Sequence, residues 1–106
     1  MSDRNEKIRD RIQGLSAQFI EREANNQSLI TVTRTEITPD GKRATVFVSV
    51  MPEEKEKAAI DFLKRLRTDL RHFIQKNMNI RSIPFLEIEI DKGEKNRQRI
   101  DELLRE

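Results

Sequence analysis

Between Lys64 and Arg81 the chain carries six cationic side chains, Lys64, Arg65, Arg67, Arg71, Lys76 and Arg81, against one acid, Asp69. That window is +5 before His72 is counted, while the 15 bases and 18 acids elsewhere leave −3. Lysine and arginine at helical spacing do one kind of chemistry well: they displace condensed counterions from a polyanion, which supplies most of nucleic-acid affinity. On a helical wheel Lys64, Arg67 and Arg71 fall along one flank of an apolar stripe, and Arg65, His72 and Lys76 on the opposite pole. Lys42 and Arg43, at the tip of a hairpin read below, offer a second basic contact. Helices also carry Lys and Arg for solubility, and their last turns attract cations through the dipole. The concentration of charge in one window of an otherwise acidic chain favours polyanion binding over that general role.

Other chemistry has little to work with. His72 is the only histidine and there is no cysteine, so two-histidine metal sites, thiolate metal sites and cysteine nucleophiles are excluded. The three glycines, Gly14, Gly41 and Gly93, are too far apart to cradle a phosphate. Glu53/Glu54 suit the N-terminus of a helix and Glu87/Glu89 the wet face of a strand, where carboxyls are expected to keep ordinary pKa values. No acid, base and nucleophile converge, so no enzyme, no catalytic residue, no metal and no cofactor are expected. Trp and Tyr are absent and Phe numbers five, which argues against stacking on single-stranded bases. Phe19, Phe62 and Phe73 fall on apolar stripes; Phe47 and Phe85 are undecided. The expected mode is recognition of structured RNA by shape and phosphate.

The elements that must position these residues have a polar chain to work with. Of 106 residues 38% are charged, with a net +2, yet Leu, Ile, Val and Phe number 29, enough for one small core. No apolar run approaches 18 residues and MSDRNEKIRDR has no signal-peptide core, so a cytoplasmic chain is expected.

Asp3 and Glu6 form a capping-box pair, and Ile8, Ile12, Leu15 and Phe19 follow a helical period, with Ala24-Asn25-Asn26 expected to end that helix. Residues 29–37 are rich in β-branched types, Pro39-Asp40-Gly41 is a turn, and Ala44, Val46, Val48 and Val50 alternate with Thr45, Phe47 and Ser49. That is a β-hairpin. Pro52 opens a second helical stretch with Ala59, Leu63, Leu66, Leu70, Phe73 or Ile74, and Asn77 on one stripe, long enough to expect a break near its middle. Pro84 then introduces a strand with Leu86, Ile88 and Ile90 on one face. Ile100, Leu103 and Leu104 stand at helical spacing in a polar tail. The order α-β-β-α(α)-β implies an α+β domain, a three-stranded sheet packed against helices.

The hairpin Ile30-Thr31-Val32-Thr33-Arg34-Thr35-Glu36-Ile37-Thr38-Pro39-Asp40 with Ala44-Thr45-Val46-Phe47-Val48-Ser49-Val50 resembles that of the ribosome-binding factor A family. Three further pieces follow in the family's order: Leu70-Arg71 to Met78-Asn79-Ile80-Arg81, then Ile83-Pro84-Phe85-Leu86, then Gly93-Glu94 to Arg99-Ile100-Asp101-Glu102-Leu103-Leu104. The resemblance implies a KH-like fold of type II order, α-β-β-α-α-β. It divides the chain into a KH-like RNA-binding domain at 1–92 and a polar C-terminal tail at 93–106 that can form a short helix. It implies a non-enzymatic assembly factor that binds the small ribosomal subunit and assists late maturation of its rRNA. The partners would be that subunit and its rRNA, with no membrane and no small-molecule substrate, and the chain would act as a monomer. The family's Ala-x-Gly kink between its two central helices aligns with Leu66-Arg67-Thr68, where this chain has neither the small residue nor the glycine. The segment 23–28 is also shorter than usual and lacks the family's Asp-Pro, so the resemblance is that of a divergent member or of a relative that has changed its rRNA footprint. A second reading of the residues is a protein-interaction module that docks through charged surfaces and the Ile100/Leu103/Leu104 stripe.

Overall fold

The structure is a computed structural model describing residues 3–23 and 28–105, without the side chains of Asp3, Gln98 and Arg105. The capping role expected of Asp3 and the helix end expected at Ala24-Asn25-Asn26 lie outside what is described. Helix α1 spans Asp3–Glu23, strand β1 Leu29–Ile37 and strand β2 Arg43–Met51. A 3-10 turn at Glu53–Lys55 follows the cis Met51–Pro52 bond and leads into helix α2, Glu56–Arg65. Helix α3 spans Arg67–Asn77, strand β3 Phe85–Ile90 and helix α4 Lys92–Arg105. The α-β-β-α-α-β order expected from the sequence is present, with α4 appended.

The hairpin closes as its residue types dictate. Gly41 takes a φ of +74°, which a residue without Cβ adopts freely. The Thr38 hydroxyl donates to Asp40 Oδ1 at 2.6 Å, and the Lys42 amide donates to the same oxygen at 3.0 Å. Those two hydrogen bonds, the hydroxyl's first, hold the Asp40 carboxyl below its usual range.

Strand order is β1-β2-β3, with β1/β2 antiparallel and β2/β3 parallel. A parallel neighbour requires a crossover, and α2 and α3 supply it. β1 carries a bulge: Val32 pairs with Val48 and Arg34 with Phe47, leaving Thr33 as the extra residue. The bulge changes the parity of the strand. Before it Ile30 and Val32 oppose Val50 and Val48; after it Thr35 and Ile37 oppose Val46 and Ala44. Every one of those β2 partners is buried.

The helices cover that single face. Ile12, Leu15, Phe19 and Ile20 of α1, Ala59 and Leu63 of α2, and Leu70 and Ile74 of α3 meet the inward residues of β2 with Leu86 and Ile88 of β3. The opposite sheet face carries Arg34, Phe47, Phe85, Glu87 and Glu89. On it the Arg34 guanidinium lies 3.8 Å from the centre of the Phe47 ring, which is half-buried.

Candidate nucleic-acid interface

The expected break in the long helical stretch falls on Leu66, at φ −89° and ψ 1°. Its amide shares the Phe62 and Leu63 carbonyls at 3.2 and 3.1 Å, and the ladder resumes with Leu70 N–H to the Leu66 carbonyl at 2.9 Å. No glycine is needed, because φ stays negative at the break. A continuous wheel therefore misplaces residues across it. Arg65 does not join His72 and Lys76: it lines a hollow with Ser28, Ile30, Lys55 and Phe62 beside the start of β1. His72 and Lys76 line a separate groove with Phe19, Arg22, Asp69 and Phe73.

Arg43, Arg67 and Arg71 do come together, around Phe85. The Phe85 amide donates to the Lys42 carbonyl at 2.8 Å, stitching the hairpin tip to the start of β3. Parallel register then sets Arg43 beside Phe85. The guanidiniums of Arg67 and Arg43 lie 5.1 and 5.6 Å from the centre of that ring, within the range of cation–π attraction. Arg71, one turn along α3 from Arg67, donates from Nη1 to the Pro84 carbonyl at 2.9 Å and so fixes the segment entering β3. A cleft of about 390 Å³ opens between Arg67, Thr68, Arg71, Ile83, Phe85 and Leu86. Lys64, Arg81 and Lys42 are exposed but make no side-chain hydrogen bond or ion pair to either cluster among the described residues.

Two residues of these clusters are not among the binding residues expected from the sequence. Phe85 was undecided there; its place opposite Arg43 depends on parallel pairing, which single-strand periodicity does not contain. Arg22 lies over the Phe73 ring at 5.0 Å, brought there because Phe19 of α1 packs on Phe73 with centroids 5.7 Å apart. The only local signal was Arg22 standing three residues after Phe19.

The electrostatics of this region differ from those of the far end. Among the described residues none of Lys64, Arg65, Arg67, Arg71, Lys76 and Arg81 forms an ion pair, and only Arg43 of the nine expected binding residues does, with Glu87 at 3.1 Å. Around α4, charge is compensated. Lys95 bridges Glu53 at 3.0 Å and Glu56 at 3.1 Å, and Arg99 pairs with Glu53 as well. Hydrogen bonds from Lys95 and then Arg99 draw the Glu53 carboxyl below its usual range, so the expectation of an ordinary pKa there is corrected. The cause is α4 returning across the 3-10 turn, a tertiary contact.

Asp91 is buried at the junction of β3 and α4. It accepts from the Thr33 hydroxyl at 2.5 Å, Arg34 Nε at 3.3 Å and the Glu94 amide at 3.1 Å. Burial pushes this carboxyl up, but those hydrogen bonds and the Arg34 charge together hold it below its usual value. On α4 itself Ile100, Leu103 and Leu104 are 55%, 70% and 79% exposed. Among the described residues no group of three or more His, Asp or Glu is placed to hold a metal ion. No helix there is long and apolar enough to cross a membrane.

The family model of ribosome-binding factor A matches residues 4–104. A ribosome-binding factor A from Thermomicrobium roseum is 33% identical over 102 residues, covering 93% of this chain and 76% of its own. One from Fervidobacterium nodosum is 34% identical over 79 residues, 74% of this chain; that match spans 63% of the relative's length. The crystal structure of ribosome-binding factor A from Thermus thermophilus superimposes with a TM-score of 0.72 at 22% identity, covering 81% of this chain and 93% of that one. A homology model of the Thermus thermophilus protein, fitted into an electron-microscopy map of its complex with the 30S particle, superimposes at 0.65 with 21% identity, covering 83% and 91%.

Proposed function

The chain belongs to the ribosome-binding factor A family, and from that membership we propose that it binds the small ribosomal subunit and assists late maturation of its rRNA. It does so in the cytoplasm, as a monomer and without catalysing a reaction, by holding one rRNA conformer more tightly than another. The reading rests on one observation: among the described residues the cations of α3 and its flanks stand without carboxylate partners, and Arg67 and Arg71 meet at one corner of the fold beside Phe85. Unpaired cations are available to phosphates, whereas compensated ones are not. Residues 1–92 act as the RNA-binding unit and 93–106 as an appended tail. The relative fitted to the 30S particle supports the choice of partner.

Co-sedimentation with small subunits tests this. Arg67→Glu combined with Lys76→Glu, neither of which holds the backbone, should abolish sedimentation with the subunit and leave circular dichroism unchanged. Sedimentation at the wild-type level would assign the contact to another face. The exposed Ile100, Leu103 and Leu104 favour a second reading, docking to a protein through α4. Leu103→Ser with Leu104→Ser should then weaken subunit binding while leaving binding to isolated rRNA intact.

A further inference from the structure

Helix α1 carries a glycine, Gly14, midway along its 21 residues. Glycine in a helix interior is unfavourable beside alanine, because it gives up the most chain entropy. Packing does not require it: Gly14 is exposed, and a Cβ added there would meet nothing within 4 Å. The residues that share its side of the helix are cationic or neutral. At 3.6 residues per turn Arg4, Lys7, Arg11, Gly14, Gln18 and Arg22 fall on one strip, all of them exposed, and Glu6, Asp10, Glu21 and Glu23 fall outside it. Among the described residues Arg4 and Lys7 form no ion pair, while Arg9, off the strip, is matched by Asp10 at 3.2 Å. Arg11 donates from Nη2 to the Asn77 carbonyl at 3.4 Å, which sets the strip beside the last turn of α3 and its Lys76. Arg22, at the far end, is committed to the Phe73 ring and to Glu23 at 3.9 Å.

We propose that this strip is a docking ridge for the sugar-phosphate backbone of paired RNA, with Arg4, Lys7 and Arg11 on phosphates and Gly14 as the notch into which the strand settles. This rests on the rRNA-binding reading and deepens it, naming a second contact face and the form of RNA that fits it. Two properties select a duplex. An uninterrupted helix of 21 residues is a rod of about 31 Å, which a stiff, evenly charged backbone can follow. The strip also has no aromatic side chain on which unpaired bases could stack. Double-stranded RNA is gripped through phosphates and 2′-hydroxyls, which asks for cations and close approach and not for base-reading side chains. The missing side chain at Gly14 gives that close approach, and Gln18, one turn on, offers its amide to the same stretch of backbone.

Fluorescence anisotropy with the full chain and two probes tests the ridge: a labelled RNA hairpin with a stem of about 16 base pairs, and one arm of that stem as an unpaired strand. Gly14→Leu fills the notch with a residue that favours the helix. The urea midpoint should therefore hold or rise while affinity for the hairpin falls roughly tenfold, the worth of one displaced contact. The unpaired strand, which bends around the new side chain, should lose less. Arg4→Gln combined with Lys7→Gln should lower the magnitude of the salt slope for the hairpin by about 0.7–0.9 per side chain, and Arg9→Gln should leave it unchanged. That comparison stands even if Gly14→Leu perturbs the helix. Parental hairpin affinity in Gly14→Leu, an equal loss on both probes, or equal slopes for Arg9→Gln and the double variant would each overturn the ridge. Should the parent chain bind small subunits while Gly14→Leu and the double variant bind them and the hairpin equally well, the ridge falls and the rRNA reading stands. Should the parent bind neither subunits nor RNA, both fall.

Discussion

The hydroxyl of Thr33 donates to the carboxylate of Asp91 at 2.5 Å, joining the bulge of β1 to the cap of α4. The two meet because the bulge leaves Thr33 as the extra residue, and β3 ends beside β2 with Asp91 N–H bonded to the Val48 carbonyl at 2.8 Å. The same carboxylate caps the first turn of α4 through Glu94 N–H. One buried acid thus sets where the last helix leaves the sheet, and this has consequences for pH.

Asp91 has a folded-state pKa below the ordinary carboxylate value of about 3.9, so the unfolded chain takes up the proton first as pH falls. The stability it contributes is present at neutral pH and is lost as pH drops from about 5 through that range. Asp91→Asn should cost about 1.5–3 kcal/mol at pH 7 and flatten the acid limb of the stability–pH curve. Urea melts at a series of pH values measure both; an equally steep acid limb in the variant would remove Asp91 from the account.

Ser16 Oγ and Thr35 Oγ1 are buried with no hydrogen-bond partner among the described residues. A buried hydroxyl without a partner costs more than its apolar isostere. Thr35→Val, which preserves shape and β-branching opposite Val46, should raise stability by about 1 kcal/mol. A fall in the urea midpoint would mean that Thr35 has a partner in solution.

Gly41 sits at positive φ with only Asn5 Oδ1 within contact distance of an added Cβ, at 3.7 Å. Space is therefore not limiting, and backbone strain is. Gly41→Ala should lose about 1–2 kcal/mol, and Gly41→Asn less, since asparagine tolerates this region. Thermal melts of the two variants side by side give the order, and an alanine variant as stable as the parent would contradict the turn geometry.

If phosphate contacts dominate, the logarithm of affinity for RNA falls linearly with the logarithm of salt. Arg67→Gln should reduce the magnitude of that slope by about 0.7–0.9, and Arg34→Gln, whose charge is already matched by Glu36 and Asp91, should leave it alone. Titrations at several ionic strengths distinguish the two; equal slopes for both variants would mean that pairing does not select the binding cations.

The elements were legible wherever one strand or helix carried its own signal. Alternation gave the valine face of β2, Pro39-Asp40-Gly41 gave the turn, and the excessive length of the second helical stretch announced a break that falls on Leu66. The site was legible only in part. Charge count located the cations of α3, yet a wheel drawn through the break grouped Arg65 with His72 and Lys76, which the fold separates. Phe85 against Arg43 and Arg22 against Phe73 required pairing between segments far apart in sequence. The parity change at Thr33 was invisible for a related reason: a β-branched run reads as a strand whichever way each residue points.

Parallel pairing of β2 with β3 also sets a schedule for synthesis. The inward valines of β2 emerge from the ribosome as part of a hairpin, but the strand that completes the sheet begins only at Phe85, across the whole of α2 and α3. At about 5–20 residues per second, that interval of roughly 40 residues lasts about 2–8 s. Throughout it one edge of β2 presents unpaired amides and carbonyls beside a hydrophobic face, an invitation to mispairing with neighbouring chains. Arg43 at its start and Met51 at its end bracket a stretch, Ala44 to Val50, with no charged residue. Early docking of α1, which is already synthesised, can cover the hydrophobic face, but the edge of β2 stays open until β3 arrives.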